Sequence, residues 1–500
     1  MTNDFHHKGL AAGRLGLASS TVIGVASTAP MYSLAASIGF IVIAVGYQAP
    51  IALILGFIPM LLTALSYKEL NQAVPDAGTV FTWGSKAFGP RLGWISGWGV
   101  IVSGVIAMAN QTQIAAIYFW LLLGQDELAE NKHVIVATGV LVIGLTTWIS
   151  YRNIEAGSST QWLLVGIQYV AIILLALGVF NALASGATEG YQFEMSWFNP
   201  LEAGFSEMVQ AILIAIFIYW GWDTCLAISE ETKDPRRIPG RAAVLSSSIL
   251  VVTYVFVTVV ALIYAGAGSE GIGLANPNNS DDVFTPFKDA ALGSWGWVII
   301  LAVAVSALAT CQTTILPSSR GIFAMAVYRS IPAKFGDVHP RFKTPKTSTL
   351  YMGLCSALFY AGMTYISENM LADTIEAASV AVAFYYAVTS FSCIKYYRGQ
   401  IFTSARNVVF RLLIPASGGL LMTGILLISL VNMADPNYGY TQLLGTSGVF
   451  VTAVLSFAIG FGIMALLMSR EDCKPFFRGE TLNMETKVKV PESADLDQAL

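Results

Sequence analysis

Apolar residues gather in long blocks along the 500-residue chain, and charged residues fall mostly in the short segments between them. A helix needs about 20 apolar residues to cross a 30 Å hydrocarbon core. Twelve stretches reach that length, at about 17–44, 50–70, 93–123, 134–151, 158–184, 205–229, 242–267, 291–323, 348–366, 371–395, 409–432 and 445–468. The pattern therefore predicts an all-α membrane protein with twelve transmembrane helices spanning 17–470, after a short N-terminal segment, 1–16. The first block is too long, and lacks the small-residue site, for a cleaved signal peptide, so it is expected to stay in the mature protein. Residues 471–500 turn polar and charged with no apolar period and read as a disordered or loosely attached tail. The connectors 71–92 and 324–347 place aromatic residues between basic ones, which predicts short amphipathic helices along the interface.

Two of the twelve blocks are interrupted. In the first, Gly24, Ser27, Thr28 and Pro30 break the run VIGVASTAPMYSL, and a Ser or Thr just ahead of a proline suits the start of a new helix. In the sixth, Gly221 sits among Tyr219, Trp220 and Trp222, with Asp223 at mid-membrane depth. A carboxylate there costs about 2.5–3.5 kcal/mol on insertion scales, so it is expected to face a cavity, a partner or a bound solute. Capping of the second half-helix by Asp223 is the structural alternative. The breaks lie five spans apart, and five is odd. Spans 1–5 (about 17–184) and 6–10 (about 205–395) would then form an inverted-topology repeat, with two extra helices at about 409–468. Half-helix N-termini facing anions and unwound carbonyls facing cations suit a zwitterion.

Charge in the connectors supports this count. Numbered alternately, one side collects nearly all the Lys and Arg, from Lys8 and Arg14 to the tail, while the other holds only Lys132 and Lys288. Lysine and arginine concentrate on the cytoplasmic side, which predicts both termini in the cytoplasm of a multi-pass protein of the cell membrane. Charged residues make up 12% and hydrophobic ones 55%, too few charges to cover soluble domains of this length. A net charge of −4 offers no basic surface for nucleic acid. Cys225, Cys311, Cys355 and Cys393 lie in apolar runs and Cys473 in the tail, so they read as buried hydrophobes. His6, His7, His133 and His339 show no metal-ligand spacing, and no GxxxxGK[ST] phosphate cradle occurs. No metal, cofactor or ATP-driven step is expected, and uphill movement must draw on a gradient.

The stretch FIYWGWDTCLAISEETKDPRRIPGRA, 217–242, resembles the amino acid–polyamine–organocation (APC) superfamily of permeases, as do 65–98, 318–345 and 23–34. The resemblance covers nearly all twelve spans. It implies the five-plus-five inverted fold and alternating access around spans one and six. It also implies a substrate site. Gly24, Ala26, Ser27, Thr28, Ala29 and Pro30 would take the carboxylate, and carbonyls around Phe217 to Trp220 the amine. Tyr219, Trp220, Gly221, Trp222 and Asp223 would complete that site, the tryptophans covering the solute from outside and Asp223 pairing with a positive group or relaying a proton.

Departures from the family narrow the coupling. Residues 158–184 hold no lysine, only Gln161 and Gln168, so coupling through a span-five lysine is not expected. Ser306, Thr310, Thr313 and Thr314 in span eight are hydroxyls that a sodium site would need, and Glu376 in span ten is a gating candidate. Asn110, Gln111 and Gln113 read equally as pathway or as helix-to-helix contacts. Glu69, Glu230 and Glu231 lie beside basic residues and read as intracellular gate pairs or, more simply, as solvated end charges. The loop after span eight has Ser330 after Arg329 where relatives carry an acid. The leading expectation is a secondary active transporter of amino acids, with proton symport favoured over sodium. A transporter or exchanger of a polyamine or other organic amine, with Asp223 as the counter-charge, is the second. A channel or a membrane enzyme is a distant third, for want of a filter motif or a catalytic cluster. Oligomeric state is left open.

Overall fold

The structure is a computed structural model that describes residues 8–186, 190–280 and 282–488. His6, His7, Glu189, Asp281 and the last twelve residues of the tail lie outside them. The chain is helical almost throughout: α1 Leu17–Ala26, α2 Pro30–Ala35, α3 Ile38–Val45, α4 Ala49–Ala73, α5 Val80–Phe88, α6 Pro90–Leu122 and α7 Asp126–Glu130. There follow α8 Lys132–Arg152, α9 Ile154–Ala184, α10 Phe205–Phe217, α11 Thr224–Ala227, α12 Ile238–Ala265, α13 Phe284–Leu292 and α14 Trp297–Val327. The last six are α15 Lys346–Ile366, α16 Glu368–Tyr397, α17 Ala405–Val408, α18 Ile414–Met433, α19 Gly448–Ser469 and α20 Lys474–Phe477.

Ten of these, counting α3 with α4 and α17 with α18, are long and apolar enough to cross a membrane. The stretches 17–35 and 205–227 are instead divided into short helices, at the places where Pro30 and Gly221 interrupt the apolar runs. The result is a multi-spanning bundle whose outer face carries Leu141, Val252, Leu358 and Leu420, all exposed. Exposed leucine and valine at this density suit lipid, in which apolar side chains need no cover. In α16, α14 and α6 the most apolar windows are 83%, 78% and 72% buried, against 22% in α19, so the first three form the centre and α19 the rim. α14 packs chiefly on α6, α12 on α4, and α15 on α8.

Three local outcomes differ from the sequence reading. α5 is buried from Val80 to Ala87 instead of lying along the interface, because Trp83 points inward and donates its indole N–H to the Val74 carbonyl at 2.8 Å. The 324–347 connector forms no α-helix beyond the end of α14, only a 3₁₀ turn, Ala333–Gly336, and an isolated bridge between Val338 and Pro345. The tail, expected to be loose, docks through residue 486. Cys473, Phe476 and Leu482 are buried, Phe476 stacks on Phe81 at 5.4 Å, and Lys86 donates to the carbonyls of Asn483 and Thr486 at 2.9 and 2.7 Å. Three apolar side chains spread over ten residues escape a periodicity test but suffice to hold a short segment. Cys355 is exposed on α15, while the other four cysteines are buried.

Candidate functional site

Proline at 30 cannot donate a backbone hydrogen bond, and its ring excludes continuation of the preceding turn. α1 accordingly ends at Ala26, and Ala29 adopts the left-handed conformation, φ 48°, before α2 begins. That region is uncommon for a residue with a Cβ. Thr28 donates its hydroxyl to the Val25 carbonyl at 2.8 Å, and Ser33 donates to the Thr28 carbonyl at 2.6 Å, so local hydroxyls take up carbonyls that the break releases.

The second break runs from Ile218 to Asp223, between α10 and α11. Gly221 has φ 126°, and a Cβ placed there would lie 2.4 Å from the Ser27 carbonyl oxygen and 3.1 Å from the Thr28 nitrogen. Only a glycine lets the two unwound backbones touch. One residue pair stitches them further, Ser27 Oγ and Thr224 Oγ1 at 2.8 Å. At Gly24 the helices approach as closely, since a Cβ there would meet Cys225 Sγ at 2.5 Å. α14 closes a third side: Thr310 donates to the Ala26 carbonyl at 2.8 Å, and the Tyr32 N–H reaches Ser306 Oγ at 3.4 Å. Gly24 to Pro30, Gly221, Ser306 and Thr310 thus come together around one point.

The aromatic residues of the second break divide. Tyr219 is buried against Phe57 and Tyr254 and donates to the Leu53 carbonyl at 3.1 Å. Trp222 is fully buried, stacked on Tyr386 at 5.3 Å and edge-on to Tyr67 at 5.1 Å. Both rings pack against helices, away from the meeting point. Trp220 and Asp223 are only partly buried. The Trp220 indole donates to the Tyr385 hydroxyl at 2.8 Å, and that hydroxyl stands 3.5 Å from Asp223 Oδ2. Asp223 makes no side-chain cap for α11. Glu376 is exposed, in the same stretch of α16 as Asp373, whose carboxylate holds the Tyr440 N–H at 2.8 Å and the Thr441 N–H at 2.9 Å. Glu376 therefore touches neither break. Gln161 donates to Gln312 at 2.8 Å and ties α9 to α14, and Asn110 donates to Thr374 at 3.2 Å, tying α6 to α16.

Sequence reasoning missed Tyr385, because tyrosines occur in nine of the twelve apolar blocks and only the fold selects one. It also missed Lys8, Asp76 and Tyr328 as members of an ionic layer at one end of the bundle. Lys8 donates to Asp76 at 2.5 Å and to Glu230 at 2.6 Å, and Tyr328 donates to Asp76 at 2.6 Å, with all these side chains buried. Arg320 grips Glu231 through two hydrogen bonds, 2.6 and 2.8 Å, and Arg406 and Arg411 hold Glu69. Glu69, Glu230 and Glu231 are thus buried ion-pair members, not solvated end charges: the N-terminal segment lies over Glu230 and Glu231, and Arg406 and Arg411 reach Glu69 from the stretch ahead of α18. Arg14 and Leu15 donate their N–H groups to the Glu231 carbonyl at 2.9 and 3.0 Å. Burial alone would depress the Lys8 ammonium, but the adjacent Asp76 and Glu230 carboxylates raise it above the ordinary lysine value. Burial works upward on the Asp76 carboxyl, yet Lys8 and the hydroxyls of Tyr328 and Thr82 hold it below its usual range. Burial pushes Glu230 up to about 7, against the opposing pull of Lys8.

A profile described as amino acid permease matches residues 15–461. An uncharacterized transporter of Mycobacterium tuberculosis is 26% identical over 389 residues, 76% of this chain and 80% of its own. The low-affinity putrescine importer PlaP of Escherichia coli is 25% identical over 312 residues, 62% of this chain and 66% of the importer. The branched-chain amino acid permease BcaP of Bacillus subtilis is 26% identical over 315 residues, with the same two coverages, 62% and 66%.

Proposed function

The chain belongs to the amino acid permease family of the APC superfamily, and we propose that it takes up amino acids across the cytoplasmic membrane by proton symport. Membership makes it a secondary transporter of small solutes, not an enzyme. The observation that carries the substrate reading is the contact of the two unwound segments at Gly221 and the Ser27–Thr28 peptide. Backbone polar groups and hydroxyls converge there from α1, α2, α11 and α14, which suits a solute with both a carboxylate and an ammonium group. In this reading Gly24 to Pro30 bind the carboxylate, carbonyls of 217–220 bind the amine, and Trp220 covers the solute. Asp223, tethered to Tyr385, takes and releases the proton. Thr310 already spends its hydroxyl on the Ala26 carbonyl, so a sodium ion between α1 and α14 would have to part that bond.

Twelve spans in a five-plus-five inverted repeat underlie this proposal, with the repeats at about 17–184 and 205–395 and the extra pair at about 409–468. Packing supports it, because exchanging each span for the one five places on reproduces the neighbours. α14 packs on α9 as α6 packs on α16, α8 meets α14 as α15 meets α6, and α1 meets α12 as the α10 segment meets α4. The chain ends support an even count, since Lys8 lies 5.3 Å from the Tyr328 ring and Thr481 donates to the Tyr328 carbonyl at 2.6 Å. Both ends therefore share one face, and its wealth of Lys and Arg assigns that face to the cytoplasm.

A second reading, an organic amine such as a polyamine, is favoured by the partly exposed Asp223 beside Trp220 and Tyr385, since aromatic faces and a carboxylate together attract a cation. Uptake of labelled amino acids and amines into proteoliposomes tests both, with proton, sodium and internal-solute gradients imposed separately. Concentrative amino acid uptake that collapses with the proton gradient is expected. Saturable uptake of amines alone, abolished by Asp223→Asn, would replace the amino acid reading. Failure of both solute classes with inserted protein would refute the substrate proposals.

A further inference from the structure

A groove of about 470 Å³ opens on the membrane-facing side between the α5–α6 junction and the end of α16. Its walls are Phe88, Leu92, Val388, Phe391 and Ile394, and Lys395 and Arg398 stand at one end. The α16 residues follow one face of that helix at steps of three or four. From Val388 to Arg398 the face runs roughly 15 Å, about half the thickness of the hydrocarbon core. Its surface is apolar throughout, Lys395 and Arg398 lining it with their methylene stems where α16 ends. Lys395 and Arg398 are exposed, and neither forms an ion pair among the described residues. Neighbouring cations on the same side have an acidic partner, Arg406 and Arg411 sharing Glu69.

We propose that this groove binds an anionic phospholipid of the cytoplasmic leaflet, one acyl chain along Val388, Phe391 and Ile394 and the phosphate between Lys395 and Arg398. Charge complementarity selects the occupant. A wholly apolar guest would leave two cations unused, a soluble anion would leave the apolar wall unused, and a zwitterionic lipid brings its own ammonium into repulsion with both. Basic clusters between membrane helices at the cytoplasmic surface are suited to anionic headgroups. The lipid would bridge α16, which carries Tyr385, to α5, whose Lys86 holds the tail. The inference rests on the bundle and its orientation in the membrane, and is independent of which solute is carried.

The full-length protein, extracted from vesicles of equal phosphatidylglycerol and phosphatidylcholine, is examined by native mass spectrometry for retained lipid. Phosphatidylglycerol is expected to be retained in preference. Lys395→Gln with Arg398→Gln should reduce that preference roughly tenfold, whereas Lys334→Gln with Arg341→Gln, on another cytoplasmic connector, should leave it unchanged. Val388→Trp, which fills the groove and keeps both cations, should also remove it. Equal retention of the two lipids, or a preference that survives the Lys395/Arg398 pair, overturns the proposal. A preference that survives Val388→Trp does so too, since the cations would then act without the groove. The charge pair lies at exposed positions, so its result stands even where Val388→Trp fails to insert.

Discussion

Gly221 holds a conformation and a clearance that a methyl group would destroy, with 2.4 Å to the Ser27 carbonyl where about 3.4 Å is needed for ordinary contact. Gly221→Ala should therefore push the two unwound segments apart and cut solute uptake at least tenfold in proteoliposomes while the protein still inserts. Normal uptake by this variant would detach the contact from function. Ala29, strained at φ 48°, makes the complementary case: Ala29→Gly should be tolerated with a gain in thermal stability of about 0.5–1 kcal/mol, and Ala29→Val should not. Glu230 supplies a pH dependence. Its carboxyl titrates near 4.5 when solvated and near 7 in the buried layer, so the closed layer binds the proton more tightly than an open one. Closure is then favoured most below about 4.5 and loses this contribution as pH rises through about 7, while Lys8 and Asp76 stay ionised. Labelling of buried Cys225 from the cytoplasmic side, taken relative to Glu230→Gln, should quicken between pH 6 and pH 8. A ratio flat across that interval counts against the switch. Position 221 was legible in the sequence because a glycine among aromatics within an apolar block has few other uses. Lys8 was not, since a lone lysine near a terminus gives no sign that three distant groups will enclose it.

Element boundaries followed from apolar length, and the two interrupted stretches were readable because proline and glycine act locally through the backbone. The fate of α5 was not, since its buried Phe81 and Trp83 and its exposed Phe88 look alike until neighbouring helices are in place. The tail presents the same difficulty in sharper form. Phe476, Cys473 and Leu482 are separated by polar residues, and their burial depends on the surface that Phe81, Tyr328 and Lys86 provide. Phe476→Ala should therefore cost about 3 kcal/mol of tail docking, a loss typical of a buried phenylalanine. Limited proteolysis should then cut near residue 470 in the variant and spare the native protein. Equal resistance of the two would mean that the main-chain bonds from Lys86 and Thr481 hold the segment by themselves.

Across the whole molecule, the packing pairs that survive exchange of the two halves are those that the proposed tilting of one half against the other about the central breaks requires. The ionic layer fixes one end of that movement and leaves partly exposed Trp220 and Asp223 as the groups of the second break nearest to solvent. Tyr328 is the point where this layer ends, with Lys8 over its ring, Asp76 on its hydroxyl and Thr481 on its carbonyl. Residue 8 leaves the ribosome long before residue 481 does. The contact they share through Tyr328 cannot form until every intervening helix has been made, so a half-made chain lacks it and gains it only once residue 481 has emerged.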